Sequence, residues 1–282
     1  MKKQPFPRLS RFLAPPQCND EEALSKSMKG KSAVVTGASH GIGRALALRL
    51  GRAGARVFLL ARSEECLVQV RDQITEAGGR AEYLVVDLRD SEQVDSVSQE
   101  LLGKCPQIDL VVHNAGKSIK RSLHHSLQRP HDFERCMGVN YLGPVRLQLA
   151  LLPGMMESKG GQIVNVSSVS VRLNPSAHWA AYHCSKTAFD QWLGAAVPEL
   201  RQYHIAVSSV YLGLVHTRMS APTEAYAKMP GLTADQAAAV LCRAIVRRPR
   251  VLQPWWLGPL HWMGPPMERM WEWGQSKVLR WL

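Results

Sequence analysis

Short apolar runs alternate with longer stretches of helical periodicity along most of the chain. The runs are Ser32–Thr36 (SAVVT), Arg56–Ala61 (RVFLLA), Ala81–Val86 (AEYLVV), Ile108–Val112 (IDLVV), Gln162–Val166 (QIVNV) and Ile205–Leu212 (IAVSSVYL). Their length and richness in β-branched residues predict strands buried on both faces. Gly41–Ala53 shows the helical spacing that recurs between them. Strands alternating with helices imply βαβ units and a parallel sheet. Right-handed crossovers make a doubly wound sheet the economical topology. The expectation is therefore an α/β, single-domain Rossmann fold with a mostly parallel central sheet and helices on both faces.

Composition alters this picture only at the ends. The 282 residues are 45% hydrophobic and 21% charged, as in an ordinary globular protein. The excess of 35 basic over 23 acidic side chains gives +12, but residues 1–31 carry +4 of it and residues 243–282 carry +5. A nearly balanced middle with no recognition motif argues against nucleic acid as a partner. The last 28 residues also hold six of the eight tryptophans: Trp255, Trp256, Trp262, Trp271, Trp273 and Trp281. The chain divides into a basic N-terminal extension (1–28), a body (29–252) and a Trp-rich basic tail (253–282). Indole rings beside Lys and Arg suit a membrane surface. Packing of the tail on the body or on a partner subunit suits the same composition equally well.

The six cysteines are scattered, without a CxxC pair. The basic start (Lys2, Lys3, Arg8, Arg11) leads into an apolar stretch that Pro15 and Pro16 interrupt, too short for a secretory signal. Reduced thiols and a cytoplasmic location follow as the expectation, with membrane association only through the tail. His113, His178 and His204 form no ligand set, so no metal is expected.

Candidate chemistry begins where the first strand meets the first helical stretch. Thr36-Gly37-Ala38-Ser39-His40-Gly41-Ile42-Gly43 puts glycines where a side chain would keep a pyrophosphate from the backbone amides. Further on, Tyr182-His183-Cys184-Ser185-Lys186 holds a Tyr and a Lys at i, i+4, one face of a helix. A nearby ammonium would lower the phenol's pKa toward working pH and make Tyr182 a general acid. Such a pair is common and usually structural when it stands alone. Cys184, between the two, reads as a small packing residue.

The glycine spacing, GxxxGxG, resembles the classical short-chain dehydrogenase/reductase family, which carries TGxxxGIG at this place. The resemblance implies that Gly37, Ser39, His40, Gly41, Ile42 and Gly43 cradle a nicotinamide cofactor. After the second strand run comes Ala61-Arg62-Ser63, with no carboxylate for a ribose 2′-hydroxyl, so Arg62 is expected to fork onto a 2′-phosphate. His40 stands where NADP-preferring relatives often carry Lys or Arg. NADPH/NADP is the cofactor this implies. Asp87 and Leu88 resemble the family's adenine contact. His113-Asn114-Ala115-Gly116 resembles NNAG, with His113 in place of the first Asn, and adds Asn114, Ala115 and Gly116 to the cofactor site. The family's pattern also makes Tyr182 and Lys186 cofactor contacts and, with Asn140 and Ser168, the catalytic set. Ser168 lies fourteen residues before Tyr182, one more than the usual spacing, which leaves Ser167 as a fallback.

A second resemblance is to the bacterial fatty acyl-CoA reductase subgroup. Lys117-Ser118-Ile119-Lys120-Arg121-Ser122, His131-Asp132-Phe133-Glu134-Arg135-Cys136-Met137 and Asn140-Tyr141-Leu142-Gly143 follow its NAGxSIRRS, HDFERTM and NYFG. Leu214-Val215-His216-Thr217-Arg218-Met219 follows its LVRTPM, with Arg218 replacing a proline, and brings Val215 and Thr217 to the cofactor. The likeness runs over roughly 29–250. It implies NADPH-dependent reduction of a long-chain acyl-CoA thioester to an aldehyde, with Lys117, Lys120 and Arg121 able to meet CoA phosphates. A ketone or 3-oxoacyl reductase of the same family and a non-catalytic NADP-binding partner protein are the alternatives. Family members commonly pair through the helices around Asn140–Met155 and Tyr182–Tyr203, so a homodimer or homotetramer is expected.

Overall fold

A computed structural model describes residues 5–279. Two short helices, α1 (Pro7–Phe12) and α2 (Glu21–Met28), precede the sheet. The chain then runs β1 (Ser32–Thr36), α3 (Gly41–Arg52), β2 (Arg56–Ala61), α4 (Glu64–Glu76), β3 (Arg80–Val85), α5 (Ser91–Lys104) and β4 (Leu110–His113). It continues with α6 (Leu123–Ser126), α7 (His131–Met137), a π-turn (Gly138–Leu142), α8 (Gly143–Glu157), β5 (Gly161–Ser168) and α9 (Ala180–Gln202). The last elements are β6 (Ile205–Leu212), α10 (Ala234–Arg247), β7 (Val251–Leu252) and α11 (Leu257–Leu279). The strands form one seven-stranded sheet in the order β3-β2-β1-β4-β5-β6-β7, with every pairing parallel.

Each strand serves two cores because successive side chains point to opposite faces. Ala33 and Val35 of β1 join Val57 and Leu59 of β2 in one core, closed by α2, α3, α4 and α10. Val34, Phe58 and Leu60 face the other, closed by α5, α8 and α9. This double burial is why the strands read as continuous apolar runs. The chain leaves β1 toward β2 on one side and reaches β4 on the other, so the carboxyl ends of β1 and β4 flank the point where the winding reverses. Ligands bind at such crevices in doubly wound folds.

Three expectations change. β5 is three residues longer than the apolar stretch that signalled it, gaining Gly161 at its start and Ser167 and Ser168 at its end; within it Gln162 donates to Ser208 and to the Ala244 carbonyl, and Asn165 donates to Asp190. β7, only two residues at the sheet edge, gave no pattern to read. The N-terminal stretch is not a free extension. Leu24 and Met28 of α2 lie in the core, the Cys18 amide donates to the Ala239 carbonyl, and Ser10 accepts from the Gly231 amide. The tail is likewise helical and begins at the fully buried Leu257. Lys2, Lys3 and Trp281 lie outside the described residues.

His113, at the end of β4, is buried with Nε2 2.9 Å from Gln148 Oε1, while its Nδ1 has no partner. Desolvation pushes its pKa down to about 4. The folded protein therefore keeps it neutral while the unfolded chain protonates it near 6.5. Stability contributed by the neutral form is complete above pH 6.5 and is lost as pH falls toward 4, by about 3 kcal/mol. His113→Asn should flatten the acid side of a stability–pH curve by that order; denaturant melts across pH 4–7 check this, and parallel curves for the two proteins would refute it.

Candidate active site

The site is assembled from the carboxyl end of β1 outward. The buried Thr36 hydroxyl accepts from the amides of Asn114 and Ala115, both at 3.0 Å, and donates to the Val112 carbonyl. Asn114 returns its side-chain amide to the carbonyls of Thr36 and Gly37. The glycine turn is thereby pressed against the strand β4 turn. Gly37 has φ +67° and no room for a side chain, since a Cβ would lie 2.9 Å from Ala115 Cα. A Cβ on Gly43 would collide with the Gly37 carbonyl oxygen.

Helix α3 opens at Gly41 without a side-chain cap and without an acidic residue in its first turn. Its uncapped amides and dipole favour an anion, and Gly41 and Gly43 keep side chains off its first turn. The residues present thus fit the pyrophosphate of a dinucleotide. Ser39 and His40 sit at the rim, with His40 Nδ1 3.1 Å from Ser39 Oγ. Burial first, then the cations Arg218 and Arg44, hold the His40 pKa below its ordinary value. Neutral His40 accepts from Arg218 Nη1 at 2.7 Å on Nε2, which also lies 3.6 Å from Cys66 Sγ at the start of α4. Arg62 is exposed on the same side and 3.9 Å from Asp87, whose carboxylate is held chiefly by Arg89. The Arg89 hydrogen bonds keep the Asp87 pKa low.

The reacting side lies between β4, β5 and α9. Asn140 is buried in the π-turn. Its Oδ1 accepts from the Lys117 amide, and its Nδ2 donates to the Lys117 carbonyl and to Ser185 Oγ, at 2.8–2.9 Å. A side chain on Gly116 would point at Asn140 Oδ1, Lys186 Cε and Met219 Cε, so these groups converge on one space. Ser168, at the end of β5, hydrogen-bonds Tyr182; the Ser167 hydroxyl is buried without a partner. The structure thus brings Ser168, and not the fallback, to the phenol.

The expected Lys–Tyr electrostatics are corrected. Lys186 Nζ donates 3.0 Å to the Val166 carbonyl, and burial lowers its pKa to about 8. Tyr182 is pushed up, not down: burial dominates, opposed by the Ser168 hydrogen bond. Spacing of i, i+4 shares a face but does not aim an ammonium at a phenol. Arg121 is engaged by the protein itself. Its Nε donates 2.6 Å to the buried Asp132, which fixes the 117–122 loop on α7, while Lys117 and Lys120 stay exposed.

Several participants gave no motif. Asp190, another four residues along α9, acts on Lys186 to keep its pKa up, and is held by Tyr211 and Asn165. The i, i+4, i+8 series from Tyr182 was the available signal. Trp179 stacks on Tyr226 at 6.1 Å and meets Tyr182 edge-on at 6.3 Å. Tyr226 belongs to the segment 213–232, which also places the Thr217 methyl beside Gly41, Met219 beside Gly116 and Arg218 on His40. Val215 bridges to Leu232 beneath it. Removing the Asp190 charge (Asp190→Asn) should carry the Lys186 pKa below about 8, moving the alkaline limb of any lysine-dependent activity to lower pH. NMR of labelled lysine reads the shift directly, and an unmoved resonance would refute it.

Comparison with known proteins agrees with this geometry. The short chain dehydrogenase family model matches residues 31–227. A fatty acyl-CoA reductase of Acinetobacter baylyi is 42% identical over 230 residues, which is 82% of this chain and 78% of that one. A fatty acyl-CoA reductase of Mycobacterium tuberculosis is 38% identical over 227 residues, 80% of this chain and 77% of the other. The crystal structure of a metagenomic short-chain oxidoreductase in complex with NADP superposes with a TM-score of 0.68 at 35% identity, covering 78% of this chain and 92% of that one. With the glycine turn, the buried Asn, the Ser–Tyr pair and the helical Lys in one crevice of a parallel sheet, the chain belongs to the short-chain dehydrogenase/reductase family.

Proposed function

We propose that this oxidoreductase reduces the thioester of a long-chain acyl-CoA to an aldehyde. The observation that carries the reading is the wall over the Ser168–Tyr182 pair. Met219, Tyr226 and Trp179 make it apolar and aromatic, while Lys117 and Lys120 stand exposed at its edge. An apolar chain ending in a phosphorylated carrier matches that division. The two fatty acyl-CoA reductases among the relatives support it.

NADPH, when bound, supplies the hydride. The chain's own residues manage the oxygen and the proton. Ser168 donates a hydrogen bond to the carbonyl oxygen, which gains charge as the carbon becomes tetrahedral. Tyr182 delivers a proton to that oxygen. Collapse of the tetrahedral carbon breaks the C–S bond and leaves the aldehyde, and that proton departs with the thiolate as free thiol. Asn140 holds the Lys117 loop and Ser185 in register. Lys186 and Tyr182 would hold the nicotinamide half of the cofactor, with Asn114, Ala115, Gly116, Val215 and Thr217 around it. Asp87 and Leu88 would meet the adenine. Arg62, with Arg218 beside His40, would hold the 2′-phosphate. Arg218 takes the place of a proline in the resembled motif, so this cation comes from the covering segment.

We further propose a homodimer or homotetramer through α8, α9 and the residues at their ends, where Leu142, Leu149 and Tyr203 are exposed. The six cysteines, all free thiols, accord with work in the reducing cytoplasm. The aromatic tail accords with contact to a membrane surface.

Purified protein with NADPH should release thiol from palmitoyl-CoA; NADPH oxidation with ketones or 3-oxoacyl thioesters alone would reject the thioester reading. Tight NADPH binding with no turnover on any substrate would favour a non-catalytic protein. Tyr182→Phe should cut turnover by roughly 10²–10⁴-fold and leave cofactor binding intact. Arg218→Gln should weaken NADPH by about tenfold or more and leave NADH nearly unchanged in fluorescence titrations, because the lost charge meets only the 2′-phosphate. Equal weakening of both would place Arg218 on the pyrophosphate instead.

A further inference from the structure

Helix α11 presents two unlike sides. One is tied to the body at the segment between Ser168 and Trp179. His261 Nδ1 lies 2.9 Å from the Arg172 carbonyl, Trp271 Nε1 donates 3.1 Å to the Pro175 carbonyl, and Gln275 bonds both that carbonyl and the Ala177 amide. At about 100° per residue these three side chains share one side of the helix. The same rotation puts Trp262, Met263, Arg269, Met270, Trp273 and Lys277 on the opposite side. All six are exposed there, Trp262 by 84% and Trp273 by 61%. The Lys277 ammonium lies 3.8 Å from the Trp273 ring centroid. Of the acidic residues of the helix, Glu268 falls on the tethered side and Glu272 at its edge. The outward side therefore carries aromatic and thioether groups with cations alone.

The other chain end extends this surface. Trp255 meets the Phe12 ring edge-on at 5.4 Å and donates to the Phe12 carbonyl, while Trp256 donates to the Leu13 carbonyl. Helix α1 thus sits at the start of the tail with Phe6, Leu9 and Phe12 exposed and Arg8 and Arg11 beside them. Residues remote in sequence thus meet where the tail begins, and α1 and α11 each bring exposed apolar and basic side chains.

We propose that this joint surface of α1 and α11 docks on an anionic lipid bilayer. Indoles interleaved with Arg and Lys, and acids turned away, are the pattern of a helix lying in the headgroup region. Cations on the outward side are attracted to an anionic leaflet, whereas the core of a protein interface is depleted in charge. Among the described residues no helix is long and apolar enough to cross a membrane, so α11 lies on the bilayer and does not span it. Its tethered side holds residues 172–177, next to Trp179 and Tyr182, so the helix that docks is also one that borders the candidate active site. The docking itself stands without the acyl-thioester reading, which supplies only its use: passage of an acyl chain between bilayer and site.

Flotation of the full chain with vesicles tests this. Phosphatidylcholine vesicles containing phosphatidylglycerol should carry the protein upward and blue-shift its tryptophan emission, with binding that falls as salt rises. The variant pair Trp262→Ala and Trp273→Ala should lose roughly tenfold or more in partitioning. Arg269→Gln and Lys277→Gln should each lose about fivefold, and only on the anionic vesicles. Retained NADPH binding shows that each variant is folded, since all four side chains are exposed. Failure of the full chain to float with anionic vesicles would overturn the proposal, as would wild-type flotation of the tryptophan variant. Halving of the native mass in that variant would also overturn it, by making the surface a contact between copies. No substrate enters the assay, so an inactive enzyme with palmitoyl-CoA leaves the result standing.

Discussion

The hydroxyl of Thr36 is the point on which the site depends. It is buried where the winding of the sheet reverses, and it ties the end of β1 to the turn after β4 by three hydrogen bonds. A crevice opens at this place because the chain departs from β1 and β4 in opposite directions. Without the tie, two loops would meet there with unpaired buried amides, each a costly loss. With it, the uncapped amides of α3 are presented from one side and the Asn114–Gly116 turn from the other. The glycines follow as a consequence: Gly37 and Gly43 are small because their neighbours are already drawn into contact.

The covering segment 213–232 then unites what the two halves of the crevice do. Thr217 packs on the glycine turn, Arg218 reaches His40, Met219 closes over Gly116, and Tyr226 stacks on Trp179. One piece of chain therefore borders both the glycine turn and the aromatic pair beside Tyr182. On the opposite flank, α11 borders residues 172–177. Tyr182 is thus framed by two late additions to the fold, the covering segment and α11.

Charge balance at the reacting centre is set by burial more than by pairing. Lys186 and Tyr182 are both shifted toward their neutral forms by desolvation. Asp190 and Ser168 act in the opposite sense, each through a group fixed by the sheet. His113 follows the same rule at the end of β4, where a neutral imidazole fills a place that the resembled motif gives to Asn.

Strand positions, the parallel class of the sheet, the glycine turn and the Tyr–Lys spacing were all legible in the sequence. Each is a local pattern of period two, period 3.6 or short fixed spacing, and such patterns survive without knowledge of neighbours. Ser168 could be named but not separated from Ser167 by spacing; only the end of β5 shows which hydroxyl meets Tyr182. Asp190, Trp179, Tyr226 and the Arg218–His40 contact join residues from different elements, and no local period records them. The tail shows the division most clearly. Its sequence declared tryptophans and positive charge and left packing and membrane contact as equal readings. The tertiary structure gives packing one side of the helix and leaves aromatic and basic groups exposed on the other, because hydrogen bonds to residues 172–177 fix the rotation of α11 about its axis. Composition determines which groups are present; only the docked rotation decides which of them face water.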